Sequence, residues 1–307
     1  MAASVKGYNV NNLSDYVEVN KDVLIRDLVL GINDGDTIAK MRKQLGVKGT
    51  ERLNYLDVDP ILQDGKGCGF NASGKTEFTE RDVETTVLKV NDEWCNDDLL
   101  GKFTEYVVKY GANKNAEEFG FEKEILDGIA RGINKKMEKI VWQGDEDLGI
   151  TGLAELAEGD DAQFTITAAT DESVYEAVKN VIMAIPEEIL DNAVVFLSPA
   201  HFRSLVFELL EMNNFHISPE EIEKGEFYFP GTTIPVHKTF GLSGSYDIYS
   251  TTWDNMVYAC DMLSDKEEFR VWFSDDDDVH RLKIKFNMGV TTLFPDAVVL
   301  GGVEPGE

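Results

Sequence analysis

The chain has 307 residues, 43% hydrophobic and 28% charged, with 29 Lys plus Arg against 57 Asp plus Glu and a formal charge of −28. That length is ample for a sizeable core in one or two domains. The charge argues against a duplex-gripping groove and against an anionic membrane as partners, because both need clustered cations.

In chain order, residues 1–26 read as a polar arm without clear periodicity, ordered only if something packs on it. They contain no apolar h-region, and the chain has no run of about 18 apolar residues, so neither a secretory signal nor a membrane span is expected. An apolar run and a short helical piece follow in "VLIRDLVLGINDGDTIAKMRKQLG". From Gly65 to Gly74, "GKGCGFNASG" is turn-forming backbone. In "KTEFTERDVETTVLKVND", Val83, Thr85 and Val87 share one parity, which predicts an extended strand. Asn96 or Asp97 caps a helix in "DDLLGKFTEYVVKYG", with Leu99, Leu100, Phe103 and Val107 along one side. Ile125, Ile129, Ile133, Met137 and Val141 recur every four residues and predict a long amphipathic helix. Gly128 and Gly132 lie inside it, each costing about 1 kcal/mol relative to Ala, a cost that close backbone packing would offset.

The glycine-punctuated "WQGDEDLGITGL" ends that helix. "ESVYEAVKNVIMAIPEEI" predicts another, with Val174, Val178, Val181 and Ile185 aligned. "AVVFL" reads as a buried strand, and Ser198 caps a helix opened by Pro199. Past "NNFHISPEEIEKGEFYFPGTTIPVHKTFGLSGS" the chain is expected to be mainly extended, with strands in "YDIYSTTW", "NMVYACDML", "EEFRVWFS", "RLKIKFNMGVTT" and "DAVVLGG". Helices and strands that do not strictly alternate indicate an α+β fold.

"GFNASGKT", Gly69 to Thr76, fits the P-loop pattern, in which backbone N–H groups cradle phosphates, Lys75 reaches the terminal ones and Thr76 holds Mg²⁺. The pattern needs a buried strand before it and a helix after it. Here "PILQDGKGC" precedes it and a Thr/Val strand follows, so the ordinary reading is a mobile glycine-rich loop. Asp261, at the end of "MVYACD", serves equally poorly as a metal-holding strand end. His201, His216, His237 and His280 show no metal spacing. "GLSGS" around Ser243 has Ser245 where a nucleophile elbow needs its second Gly. The run Asp275–Asp278 stacks its acids where calcium loops space them, and reads as a solvated loop. "NAS" at Asn71 fits a glycosylation acceptor, which has no meaning without secretion. Cys68, Cys95 and Cys260 share no C-x-x-C spacing and read as reduced thiols of an intracellular protein. No acid, base and nucleophile converge, so no enzyme activity, cofactor or metal is expected.

The order of segments is more specific than any motif. A polar arm, a glycine-bounded extended loop, a very long helix, "WQGDEDLGITGL", "VVFLSPAHFRSL", "FPGTTIPVHKTFGL" and the closing "LKIKFNMGVTTLFPDAVVL" together resemble the major capsid proteins of tailed bacteriophages, over about residues 20 to 302. The resemblance implies a Hong Kong 97-type capsid fold. Its parts are an N-terminal arm (1–26), the first part of the peripheral domain (27–63), an extended loop (64–95), the spine helix of the peripheral domain (96–145), a mainly axial domain (146–275) and closing strands that return through the peripheral domain to the axial domain (276–307). It implies pentamers and hexamers that form an icosahedral head around double-stranded DNA, assembled in the host bacterial cytoplasm. The partners implied are the chain itself, with portal, scaffolding and decoration proteins as further candidates; the DNA is enclosed without sequence-specific contact, and no membrane is involved. In such proteins the extended loop lies over a neighbour, which makes Gly69 and Gly74 hinges and Lys75, Phe78, Val83 and Val87 candidate assembly residues. Some members crosslink a loop Lys to a neighbour's Asn, and Lys66, Lys75 and Lys89 are the lysines available. An acidic inner wall is expected to repel DNA. The alternatives are an encapsulin-like nanocompartment shell, which the polar arm and long loop disfavour, and a P-loop nucleotide hydrolase.

Overall fold

The computed structural model describes residues 13–20, 37–59, 75–95, 120–159, 165–212, 218–261 and 269–303, with positions 24, 97–99, 101, 102 and 105. The chain is α+β: the described residues form two sheets, a two-stranded ribbon and helices against both sheets.

The first sheet contains β1 (Arg42–Leu45), β4 (Thr86–Cys95), β10 (Met256–Asp261), β11 (Phe269–Ser274) and β12 (Val279–Thr292). β12 is its centre. β4 runs antiparallel along one edge, while β10 and β11 pair in succession with residues 287–292 and 279–284. The sequence "RLKIKFNM" explains the seating of β12. Strand side chains alternate between faces, so Leu282, Ile284, Phe286 and Met288 enter the core and Arg281, Lys283 and Lys285 do not. The long helix α4 (Gly120–Gln143) supplies the other side of that core through Leu126, Ile133, Met137 and Val141. At a rise of 1.5 Å per residue it is about 36 Å long.

The second sheet runs β5 (Ile166–Thr167), β13 (Val299–Gly302), β9 (Asp247–Thr252), β6 (Ala193–Leu197), β8 (Pro235–Lys238) and β7 (Glu226–Tyr228). Helices α6 (Val174–Ala184) and α7 (Pro199–Glu211) share its core with Val178, Val181, Leu205 and Leu209. Ser198 caps α7 as expected, accepting from the His201 N–H at 3.2 Å. The start of α6 has a less local cap: the Glu208 carboxylate on α7 accepts from Ser173 Oγ at 2.7 Å and from the Tyr175 N–H at 2.8 Å. An anion at a helix N-terminus satisfies donors the helix leaves unpaired.

The chain passes from one sheet to the other at Trp253–Asn255 and again at Pro295–Ala297. The buried Asn255 amide ties the crossings together, donating to Phe294 O at 2.9 Å and accepting from the Phe294 N–H at 2.7 Å. β10 and β11 therefore belong with β12 and β4, although the sequence reading grouped residues up to 275 mainly with the other domain.

Three further differences have physical causes. Residues 13–20 form a helix, α1, where a polar arm is expected. Leu13 and Val17 are buried and Tyr16 packs beside them, a three-and-four spacing that anchors the helix on the main core. Pro219–Lys224 forms helix α8 in a segment to which the sequence reading assigned no element. Its start is a capping box: Ser218 Oγ accepts from the Glu221 N–H, Glu221 accepts from the Ser218 N–H at 2.7 Å, and Gly225 closes it at φ 73°. Lastly, the ribbon pairs β2 (Thr50–Asp59) with β3 (Lys75–Glu84), from Thr50 opposite Glu84 to Asp59 opposite Lys75. Its first arm thus lies upstream of residue 64, and Thr86–Cys95 leaves it for the first sheet. Helical residues at 97–99, 101–102 and 105 begin α3. Leu100, Phe103, Val107 and the stretch Gly65–Gly74 lie outside the described residues.

Candidate assembly surfaces

Where the two sheets meet, α4 ends in a buried polar knot. The Glu138 Oε1 accepts from Thr37 Oγ1 and from Thr239 Oγ1, each at 2.9 Å, and the Trp142 indole N–H reaches Thr37 Oγ1 at 3.4 Å. Trp142 is fully buried and packs on Phe196 and Tyr249 of the second sheet, with ring centroids 5.0 and 5.2 Å apart. Gly241 lies so close to this ring that a Cβ there would sit 1.9 Å from Trp142 Cδ1. At the rim, Lys40 donates to Glu226 at 2.9 Å, and His237 Nδ1 lies 3.5 Å from the same carboxylate oxygen. His237 and then Lys40 hold the Glu226 carboxyl at about 2, against burial. The shorter Lys40 contact is the firmer of the two, because 3.5 Å is at the limit of a hydrogen bond. In this knot the polar groups of Thr37, Glu138, Trp142 and Thr239 face one another.

Among the described residues no candidate for chemistry gains a setting. Lys75 and Thr76 open β3, opposite Asp59 and Val58, so a strand follows the P-loop pattern where a helix is required. Gly69, Gly74, Lys66, Cys68, Asn71 and His216 lie outside the described residues. Among the described residues no three His, Cys, Asp or Glu side chains are placed to hold a metal. Burial lowers the pKa values of His201 and His280. Ser243 is in a turn, its N–H donating to Phe240 O at 3.1 Å. The Asp275–Asp278 run is the hairpin turn between β11 and β12, where Arg281 Nη2 meets Asp277 at 2.6 Å. Cys95 and Cys260 are free; burial, chiefly, pushes the Cys260 thiol up to about 12. No helix among the described residues is long and apolar enough to cross a membrane.

Contact surfaces are better developed. The ribbon braces itself: Arg52 pairs with Glu80 at 2.7 Å and with Asp82 at 3.1 Å. At its base Arg81 Nε donates to Thr292 O at 3.1 Å, beside a polar cleft of about 510 Å³ that is also lined by Gly149, Ile150 and Thr151. Of the residues singled out in the sequence, Val83 is fully buried against Val47 and Ala259 of its own chain, whereas Val87 on β4 is 52% exposed. Lys75 and Phe78 both lie on β3, Phe78 opposite Leu56. The sequence reading missed another surface. On α7, Phe207 is 64% and Leu210 42% exposed, and they are neighbours at a three-residue spacing on the face turned away from the sheet. Tyr228 is exposed on β7, which pairs only with β8 among the described residues. Exposed apolar side chains and an open strand edge are features that suit a protein–protein contact. The available signal was an apolar excess on α7, where Leu205, Val206, Phe207, Leu209 and Leu210 are more than one helix face can bury.

No family model and no curated protein matches the sequence. Solved structures match the fold. A chain from the satellite phage P4 procapsid including the size determination (Sid) protein aligns over 99% of this chain and 94% of that chain, at 9% identity and a TM-score of 0.61. A chain from the capsid of an empty GTA particle aligns over 88% and 90%, at 11% identity and a TM-score of 0.61. A virus-like particle from Pyrococcus furiosus aligns over 91% and 97%, at 11% identity and a TM-score of 0.50.

Proposed function

We propose that this chain, whose fold is that of phage capsid proteins, is the major capsid protein of a tailed-phage head. Copies of it associate as pentamers and hexamers into an icosahedral shell around double-stranded DNA, with no turnover chemistry. The observation that carries this reading is the alignment of 99% of the chain with a phage P4 procapsid chain at a TM-score of 0.61.

In this reading the five-stranded sheet with α4 is the peripheral domain, and the six-stranded sheet with α6 and α7 is the axial domain. The ribbon of β2 and β3, with the residues between them, is the extended loop that crosses a neighbour. Gly69 and Gly74 are its hinges, and Lys75, Phe78 and the exposed Val87 are contact residues. Val83 leaves that set because its own chain covers it. Portal, scaffolding and decoration proteins are the expected further partners, the bacterial cytoplasm the place of assembly, and the virion the destination.

The likeness to the Pyrococcus furiosus virus-like particle favours a second reading, a nanocompartment shell of the same fold around a protein cargo. Particles purified from bacteria making this chain, treated with nuclease and imaged in negative stain, separate the two. Shells that protect DNA, or empty shells that fill when a packaging system is supplied, support the capsid reading. Shells that retain a specific protein favour the second. Protein that stays monomeric or dimeric with candidate scaffolds supplied overturns both.

A further inference from the structure

The outer face of α4 runs against the charge of the whole molecule. Between residues 128 and 140 the exposed positions are Gly128, Arg131, Gly132, Lys135, Lys136 and Lys139, so every exposed side chain there is a cation. Glu138, the one acid in that interval, is turned inward and held by Thr37 and Thr239. None of the four cations forms an ion pair among the described residues; Lys135 alone has a contact, 5.9 Å above the Phe240 ring. At Gly128 and Gly132 an added Cβ would meet nothing within 4 Å, so the helix backbone there is open to an approaching surface. A chain of net charge −28 thus carries an unpaired positive stripe about 12 Å long on its longest helix.

We infer that this face of α4 contacts the sugar–phosphate backbone of double-stranded DNA. The inference rests on the proposed function as a DNA-enclosing shell and implies that α4 faces the interior. Duplex DNA carries one charge per about 1.7 Å of axis, or about seven phosphates beside a stripe of this length. The acidic ribbon of a second copy is the weaker complement, because Glu80 and Asp82 are already paired with Arg52. Lysines and arginine on a helix exterior, with no exposed amide side chain among them, recognise phosphates and not base edges, so binding is independent of sequence. The acidic remainder of the chain repels the duplex and confines contact to this stripe.

The test uses the full chain, a linear duplex of about 200 base pairs as the probe, and sedimentation of the same samples to record shell formation. Wild-type protein is expected to bind at low salt, with a slope of log Kobs against log salt of about −3 to −4 for four phosphate contacts. The variant R131E/K135E/K136E/K139E is expected to lose binding, while K179E/R203E, on other faces, binds as wild type does. Should the fourfold variant fail to fold, single Arg131→Gln, Lys135→Gln, Lys136→Gln and Lys139→Gln changes each reduce the slope by about one unit. Absent binding by the wild type, or slopes that these changes leave unaltered, overturn the inference. A charge-swapped protein that binds DNA normally but no longer forms shells assigns the face to a neighbouring copy and also overturns it. If shells form without DNA binding, this inference fails and the shell reading stands; if no shells form even with candidate scaffolding proteins supplied, the shell reading itself fails.

Discussion

Two glycines show how differently one residue type is used. Gly241 is required because the Trp142 ring and the Glu138 carbonyl occupy the space of any Cβ. Gly241→Ala is therefore expected to destabilise the folded chain by about 1–3 kcal/mol, as overpacked cores do. Gly128 sits in an exposed helix interior with open space around it, so Gly128→Ala is expected to stabilise the unassembled chain by up to about 1 kcal/mol. Denaturant melts of the two variants under disassembling conditions check both signs. Glu226 sets a pH dependence. Its folded pKa of about 2 lies below the ordinary 4.5, so its contribution is complete above pH 4.5 and is lost as pH falls towards 2. The melting-temperature gap between wild type and Glu226→Gln should accordingly be widest above pH 4.5 and close towards pH 2. A gap that does not change over this range would mean that the Lys40 and His237 contacts do not act on this carboxylate.

At the scale of elements, what the sequence reveals depends on how local the cause is. α6 and α7 are legible because Ser198, Pro199 and the valine spacing are local signals, and β12 because its alternation is unbroken from Val279 to Met288. α8 was equally local, through Ser218 and Glu221, but its six residues are too short for a periodicity signal. α1 was obscured because Leu13, Tyr16 and Val17 are few apolar residues among many polar ones, and the core that fixes them lies far along the chain. The ribbon was half legible. The parity of Val83 and Val87 predicts strand, but only pairing shows that Val83 faces inward and that its partner strand is Thr50–Asp59. The α7 face was hidden for a related reason: in sequence Phe207 resembles any core residue, and only its lack of cover marks it as surplus. Phe207→Glu with Leu210→Glu is expected to leave the melting temperature within a few degrees of wild type, since exposed substitutions change stability by about 0.5 kcal/mol or less. The same pair is expected to block assembly. Shells of normal yield from the double variant would remove α7 from the contact surface.

For the whole molecule, charge dominates. Each copy brings −28, so copies must be held by apolar and hydrogen-bonded contact against their mutual repulsion. At physiological salt the Debye length is about 8 Å, and at 0.01 M about 30 Å, so diluting the salt extends that repulsion across neighbouring subunits. Shells should therefore loosen at very low ionic strength and recover on adding salt or a divalent cation. A dissociation midpoint that does not respond to salt would mean that subunit contacts are organised around paired charges that cancel the net repulsion. The fold class was legible at this scale because it rests on the order of segments along the chain.

The most direct measurement is sedimentation velocity of the purified chain at moderate salt, with negative-stain images of the same fractions. The account predicts closed shells, or rings of five and six that convert to shells. A monodisperse monomer or dimer that persists across salt, protein concentration, added Mg²⁺ and candidate scaffolding proteins would contradict it.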